Sequence, residues 1–389
     1  MRIAGVAERL RIALITERFG RKFGGAEAYA VNLFEILSKQ HDVTVIACEF
    51  EHALPVQEIY VKRLKGFPSW MRALHFAYCA KKLTSSGFDV VHSHAMGPAG
   101  DVHVVHVVPV RYRRFFMRPK WRGYLSYLEP HNIAHLWLES CSLRSVPGHQ
   151  VVAVSPSVTQ QLQAAYPTLT SIEMIPPGAR AQSIDPLVRS SIRQQLGWQD
   201  TDVVCILVAR NPLLKGLAVS LQALERLPEH YKLVVLGADT DSKQYFFKHH
   251  AEIKTRVRML EPTSSVSAYF QGADICVHPT QLDSFAMAPL EAMAHGLPVV
   301  LSAEPFCGFA AYVRHQQDAW VLPDPRDAKQ LAEALCALGE RPQLREKFVL
   351  ESKTLVQSFS WETVAQRYEA LYTRVLSQKK VSQSQPRIQ

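Results

Sequence analysis

Short runs of consecutive apolar residues alternate along the chain with longer stretches in which apolar positions recur every three or four residues. In the first half the runs are IALIT (12–16), DVTVIA (42–47), DVVHSH (89–94), VHVVHVV (102–108) and QVVAVS (150–155). They are rich in β-branched residues and lack strict alternation, which predicts strands covered on both faces, as in a parallel sheet. Between the first two, GGAEAYAVNLFEILSKQ carries Ala26, Ala30, Leu33, Phe34 and Leu37 on one helical face, giving a strand, loop, helix, strand unit. The second half repeats the theme with VVCILVA (203–209), KLVVLG (232–237), ICVHP (275–279) and PVVLS (298–302), each followed by a helical stretch or a Gly/Pro turn. The pattern predicts an α/β chain of two doubly wound, Rossmann-like domains.

The boundary is expected at IPPGA (175–179), where two prolines and a glycine end the last strand of the first half. Residues 1–178 and 179–359 are then the two domains. WETVAQRYEALYTRVLSQ (361–378) reads as an amphipathic helix, residues 379–389 have the composition of a disordered tail, and residues 1–10 form an extension before the first strand.

Composition narrows the class. A chain of 389 residues with 47% hydrophobic and 20% charged residues has material for two ordinary cores, which excludes disordered and fibrous proteins. The seven cysteines are scattered without a C-x-x-C pair, so neither a disulfide framework nor a structural zinc site is indicated, and a reducing cytosol is the expected compartment. A segment of about 18 consecutive apolar residues is lacking, so the chain is expected to be neither secreted nor membrane-spanning. The net charge of +9 is uneven: residues 1–178 hold 20 basic and 13 acidic side chains, residues 179–359 hold 19 and 20, and residues 360–389 hold 5 and 2. An anionic partner follows, whether nucleic acid, an acidic membrane or a phosphorylated substrate.

Two segments of the second half carry candidate chemistry. In HPTQLDSFAMAPLEAMAHGLPVV (278–300) a strand ends at His278 and Pro279, a loop holds Asp283, Ser284 and Phe285, and a helix carries Glu291. Ligands of open α/β sheets bind beyond the carboxyl ends of strands. Free N–H groups at the start of that helix suit a diphosphate, and Glu291 can accept hydrogen bonds from sugar hydroxyls. Both acids could equally serve only as helix caps. ARNPLLKG (209–216) directly follows another strand, so Arg210 and Lys215 leave the same sheet edge. Two cations there can neutralise a diphosphate leaving group.

Other candidates lie mostly in the first half. His92 and His94 share a face at one strand end, and His103 and His106 flank the next strand. The pattern suits zinc poorly; His106 is a candidate sugar or acceptor contact, or simply a packed ring. Asp239 and Asp241 form a D-x-D on the turn after KLVVLG and read as turn residues, not metal ligands. The segment 110–128 contains Arg111, Arg113, Arg114, Arg118, Lys120 and Arg122 with Phe115, Phe116 and Trp121 among its aromatic residues, and no acid. Such a surface suits anionic lipid or single-stranded nucleic acid; the alternative is a solvated loop.

Arg210 with Lys215, followed by D-x7-E at Asp283 and Glu291 ahead of AMAHGLPVV, resembles the donor-site signature of the retaining GT-B glycosyltransferases of family 4. The resemblance covers roughly residues 11–378, including GGAEAYAVNLFEIL, IPPG and the last helix. Within the family, GDVHVVHVVPVRYRRFF and CGFAAYV (307–313) look most like the lipopolysaccharide core glucosyltransferase I branch. The resemblance implies two Rossmann-like domains facing across a cleft, with the helix 361–378 returning to the N-terminal, acceptor-side domain. It further implies transfer of a hexose, with UDP-glucose as co-substrate, no cofactor, and a lipid-linked saccharide such as the lipopolysaccharide core as acceptor; because Arg210 and Lys215 already supply charge for the diphosphate, the transfer is expected to be metal-independent. By the same resemblance Arg210 and Lys215 hold the diphosphate, Glu291 the ribose and Asp283 the transferred sugar. Ser284 and Phe285 present backbone amides, Gly24 and Gly25 let backbone approach the donor, and His106 stands where the family places a sugar or acceptor contact. The basic segment then docks a cytoplasmic, peripheral enzyme on the inner face of a bacterial membrane, with no nucleic acid involved. A sugar-nucleotide epimerase of the same fold, or a transferase acting on another polysaccharide or glycolipid, is the alternative. Two positions depart from the family pattern, which has Glu at Asp283 and Gly at Ala286.

Overall fold

The computed structural model describes residues 9–384 and falls into two compact units. One contains the residues up to Pro177 together with those from Trp361 onward; the other is Gly178–Ser360.

The first unit contains strands β1 (Arg11–Ile15), β2 (Arg18–Gly20), β3 (Asp42–Ala47), β4 (Glu49–Glu51), β5 (Gln57–Tyr60), β6 (Val90–Ser93), β7 (Val102–Val105), β8 (Gln150–Ala153) and β9 (Ile172–Met174). Seven form a parallel sheet in the order β5-β3-β1-β6-β7-β8-β9, while β2 pairs with β4. The second unit contains β10 (Val203–Val208), β11 (Tyr231–Leu236), β12 (Val257–Leu260), β13 (Ile275–His278), β14 (Val299–Ser302) and β15 (Trp320–Leu322), in the parallel order β12-β11-β10-β13-β14-β15. In each sheet the chain builds outward on one side and then returns to start the other. The reversals fall between β1 and β6 and between β10 and β13. Such a switch point opens a crevice at the carboxyl edge, because the loops on its two sides turn to opposite faces.

The apolar runs become the central strands: Ile12–Ile15 and Cys205–Leu207 are at most 1% exposed. Helix starts follow local chemistry. Ser155 caps Pro156–Ala165 by accepting from Val158 N, and Asp239 caps Thr240–His249 by accepting from Ser242 N. Asp239 is therefore the turn residue expected of it, and Asp241 lies in that helix's first turn.

Two local readings are corrected, and the basic segment takes a form the sequence leaves open. The run VHVVHVV is a strand only to Val105; His106 has left the ladder, and Pro109, which has no N–H to donate, precedes a helix. The basic segment is helical, Val110–Phe115 and Lys120–Leu125, each helix preceded by a proline. The last helix spans Trp361–Ser384 and does not give way to a tail at 379. Its end is tied down: Lys379 Nζ lies 2.6 Å from Asp101 Oδ2 and donates to Asp89 O at 3.3 Å, and Gln378 Oε1 accepts from Gly148 N at 3.1 Å. The first eight residues of the expected extension, and residues 385–389 of the tail, lie outside the described residues.

That last helix completes the first unit. Trp361, Tyr368 and Tyr372 are at most 1% exposed. Trp361 meets Tyr29 of the helix Gly25–Leu37 edge-on at 5.2 Å, and the Tyr29 and Tyr368 hydroxyls lie 2.7 Å apart. At about 2 kcal/mol for each buried ring, these contacts tie the end of the chain to its beginning.

Candidate functional site

The two switch points supply two sites, one in each unit. In the second unit β10 leads into Ala209–Gly216 and β13 into Pro279–Ala286. Gln281 N ties one loop to the other by donating to Leu214 O at 3.1 Å, and the buried Thr280 beside it accepts from Leu282 N at Oγ1 at 3.2 Å and from Ser302 Oγ at its carbonyl at 2.8 Å. The loops approach so closely that a Cβ on Gly216 would stand 2.3 Å from Pro279 O, and one on Gly308 would stand 2.1 Å from Ser284 O. Only glycine fits at these two places.

This framework brings Lys215 to Asp283. Lys215 Nζ lies 2.7 Å from Asp283 Oδ2 and donates to Leu282 O at 2.8 Å. His278 Nε2 lies 3.0 Å from the same Oδ2, and Asp283 Oδ1 accepts from Ala286 N at 2.9 Å. Burial pushes the Asp283 carboxyl up, but the His278 hydrogen bond and the Lys215 charge outweigh it and hold the group far below the usual carboxylate range. Asp283 is thus a fixed anion. Glu291, in the second turn of the helix Met287–Ala294, has no hydrogen bond or ion pair to its carboxylate among the described residues, and burial pushes it up to about 7. Two acids with opposite displacements stand on one loop and helix.

The remaining residues of the second unit are placed as follows. Arg210 is exposed at the mouth of its loop, Ser284 is half-buried, and Phe285 packs on Phe309 at 5.4 Å and Phe359 at 6.1 Å. The helix Met287–Ala294 has no side-chain cap, which leaves its start polar, although Pro289 contributes no N–H. Its preceding residue, Ala286, has φ 75° and ψ 77°, in the left-handed region that glycine enters freely. The sequence marks His278 only as a strand end; its place five residues before Asp283 is the available signal for a role in holding that carboxylate.

In the first unit the β1–β6 switch point carries a cavity of about 510 Å³. Glu17 and Arg18 line it from one side, His94 and His106 from the strand ends, and Arg113 and Arg114 from the helix Val110–Phe115. Gly24, with φ 154°, precedes Gly25, the first residue of the helix Gly25–Leu37. His92, His94 and His106 form a line of hydrogen-bonded rings, with nitrogens 3.0 and 3.1 Å apart, and do not converge on a common centre; His103 stacks apart from them near His149 at 5.2 Å. Among the described residues, a group whose ligand atoms lie within 4.8 Å of one another is Glu225, His250 and Glu252. It follows two helix C-termini of the second unit, at the opposite sheet edge from Lys215 and Asp283.

Of the basic segment, Arg111, Arg113, Arg118 and Arg122 are exposed, and Lys120 opens the helix Lys120–Leu125. Arg122 lies 4.9 Å over the ring of Trp121, which is 60% exposed; Phe116 stacks on Tyr112 at 5.1 Å, and Phe115 turns toward Tyr127 at 5.6 Å. Among the described residues the Nε of the half-buried Arg114 has no hydrogen-bond partner, and Arg113 and Arg114 both line the cavity. No helix among the described residues is long and apolar enough to cross a membrane.

Two parallel α/β units, each with its loops gathered at a switch point, define the GT-B class of fold. The family model described as Glycosyltransferase Family 4 matches residues 23–183, and the one described as Glycosyl transferases group 1 matches residues 188–354. The chain belongs to glycosyltransferase family 4. It is 27% identical over 257 residues to the D-inositol 3-phosphate glycosyltransferase of Xylanimonas cellulosilytica, covering 61% of each chain. It is 28% identical over 171 residues to the lipopolysaccharide glucosyltransferase WaaG of Escherichia coli K12, covering 42% of this chain and 45% of that one. The matched stretches thus span less than two thirds of these relatives' own length. The crystal structure of WaaG, a glycosyltransferase involved in lipopolysaccharide biosynthesis, superposes with a TM-score of 0.80 at 20% identity, covering 93% of this chain and 99% of that one.

Proposed function

We propose that the protein transfers a hexose from a nucleoside diphosphate sugar to a saccharide acceptor with retention of configuration and without a metal ion. The observation that carries this reading is the second unit's switch point, where Lys215 and a fixed Asp283 anion stand together, with Glu291 on the helix that follows. Asp283 accepts from hydroxyls of the transferred sugar, Glu291 from the ribose, and Arg210, Lys215 and the backbone after Asp283 hold the diphosphate. The bond from the anomeric carbon to the phosphate oxygen breaks as the acceptor oxygen bonds on the same face. The acceptor's proton passes to the departing phosphate oxygen. Cations fixed beforehand stabilise that developing charge without reorganisation.

UDP-glucose is the donor we favour and a lipid-linked core saccharide the acceptor, with the exposed cations and rings of residues 111–128 docking on an anionic membrane. A small phosphorylated polyol is a second acceptor reading, favoured by Arg113, Arg114, His131 and His135 along the cavity wall. Thermal-shift titration with UDP-, GDP- and ADP-sugars, with and without Mg²⁺, tests the donor. Stabilisation by UDP-glucose without metal is expected; stabilisation by a non-uridine donor alone, or only with metal, overturns it. Product analysis with donor alone separates transfer from epimerisation.

A further inference from the structure

The returning helix reaches the first unit's cavity through a line of rings. Tyr372 Oη lies 2.6 Å from His92 Nδ1, His92 Nε2 lies 3.0 Å from His94 Nε2, and His94 Nδ1 lies 3.1 Å from His106 Nε2. Tyr372 and His92 are fully buried, while His94 and His106 line the cavity. Aromatic walls enclose the line: Phe34 and Tyr368 stand 5.3 and 4.9 Å from His92, and Tyr29 stands 5.6 and 4.9 Å from His94 and His106.

Burial holds all three imidazoles neutral at pH 7, pushing His92 and His106 down to about 3 and His94 well below its ordinary value. Each neutral ring has one N–H and one bare nitrogen. Burial also keeps the Tyr372 hydroxyl protonated. Among the described residues that hydroxyl has no hydrogen-bond partner except His92 Nδ1, so its proton has one acceptor. The opposite orientation would leave a buried O–H unsatisfied. Once Tyr372 donates to His92 Nδ1, the remaining protons follow: His92 donates from Nε2 to His94 Nε2, and His94, which also has a backbone partner at Ala26, donates from Nδ1 toward His106 Nε2. His106 must then carry its hydrogen on Nδ1, the one nitrogen of the three rings with no hydrogen-bond partner among the described residues.

We infer that Tyr372, acting through His92 and His94, fixes the tautomer of His106, so that the cavity is offered a hydrogen-bond donor, Nδ1–H, and no base. A ligand oxygen, not a ligand proton, is what His106 recognises. In the saccharide acceptor of the proposed function, on which this last identification rests, that oxygen is a hydroxyl or ether oxygen held for orientation. Tyr372 is a positioning residue that touches no ligand.

Long-range proton–nitrogen spectra of the full chain with ¹⁵N-labelled histidine read each tautomer directly, with neither donor nor acceptor present. The expected result at pH 7 is hydrogen on Nε2 of His92 and on Nδ1 of His94 and His106; His106 with its hydrogen on Nε2 overturns the inference. Tyr372→Phe keeps the ring and removes the donor, and should convert His106 to a tautomer mixture and raise the acceptor KM about tenfold with donor affinity unchanged. An unchanged His106 spectrum in that variant removes Tyr372 from the role. If Tyr372→Phe does not fold, His94→Leu cuts the line nearer the cavity and must release His106 in the same way. Because the tautomers are read without turnover, a failure of the proposed transfer reaction would leave this test standing.

Discussion

Replacing Glu291 by Gln should make the protein more stable and less able to bind its donor, and the gain in stability should depend on pH. In the unfolded chain the carboxyl titrates near 4.5, while burial in the folded protein raises it to about 7. Below pH 4.5 both states are protonated and the group has no effect. Between pH 4.5 and 7 the unfolded chain gives up a proton that the folded one keeps, so rising pH favours unfolding. Above pH 7 both states are ionised and the full penalty stands, at most about 3 kcal/mol at about 1.4 kcal/mol per tenfold change in proton affinity. Gln remains neutral throughout. Calorimetry at pH 5, 6, 7 and 8 should therefore show wild type and Glu291→Gln converging at the acid end, with the variant several degrees higher at pH 8. Donor affinity at pH 8 should fall about 10- to 100-fold, the loss expected for charge-assisted hydrogen bonds to the ribose. Parallel melting curves across the whole range would refute the displaced titration, and unchanged affinity would refute the ribose contact.

Three further outcomes follow from the same geometry. Lys215→Ala should lower transfer at least about 100-fold, since the cation facing the leaving group is removed, with the far-ultraviolet circular dichroism of the wild type; near-normal turnover would dismiss the site. Gly308→Ala pushes a Cβ to 2.1 Å from Ser284 O, so it should displace the Asp283 loop, weaken donor binding and cost about 1–3 kcal/mol of stability, measured by titration and melting. Replacing the exposed Arg118 and Arg122 by Gln should weaken sedimentation with anionic vesicles about 10- to 30-fold at low salt, at about 1 kcal/mol per cation, and leave donor binding unchanged; unaltered sedimentation would remove the membrane contact.

Residues that act through their neighbours in sequence were legible, and those that act across the fold were not. Continuous apolar runs announced β1, β3, β6, β10, β11, β13 and β14, because strands buried on both faces need no polar positions. Edge strands such as Gln57–Tyr60 and Ile172–Met174 are too exposed to carry a continuous apolar run. The helices Val110–Phe115 and Lys120–Leu125 span six residues each, less than two turns, so no periodicity could separate them from a loop. Arg210, Lys215, Asp283 and Glu291 were recognisable as motif residues. The contact of Lys215 with Asp283, 68 positions apart (283 − 215), exists because β10 lies beside β13, and only the sheet order states it. The departure at Ala286 became interpretable only with its backbone angle, which shows why glycine suits the position. His92 and His94 could be paired by eye, but Tyr372, 280 positions from His92, could not.

The first unit is written in two pieces, and synthesis must make them at different times. When Pro177 has been made, the surface that will cover Tyr29 is still missing, because Trp361, Tyr368 and Tyr372 come after the whole of Gly178–Ser360. At the usual pace of translation those roughly 180 residues take about 10 to 40 s. The second unit is continuous and can close as soon as it is made. The first remains open through that interval, with the apolar face around Tyr29 uncovered. Its last helix is thus a timer as well as a wall: the unit that carries the cavity can mature only after the other is complete.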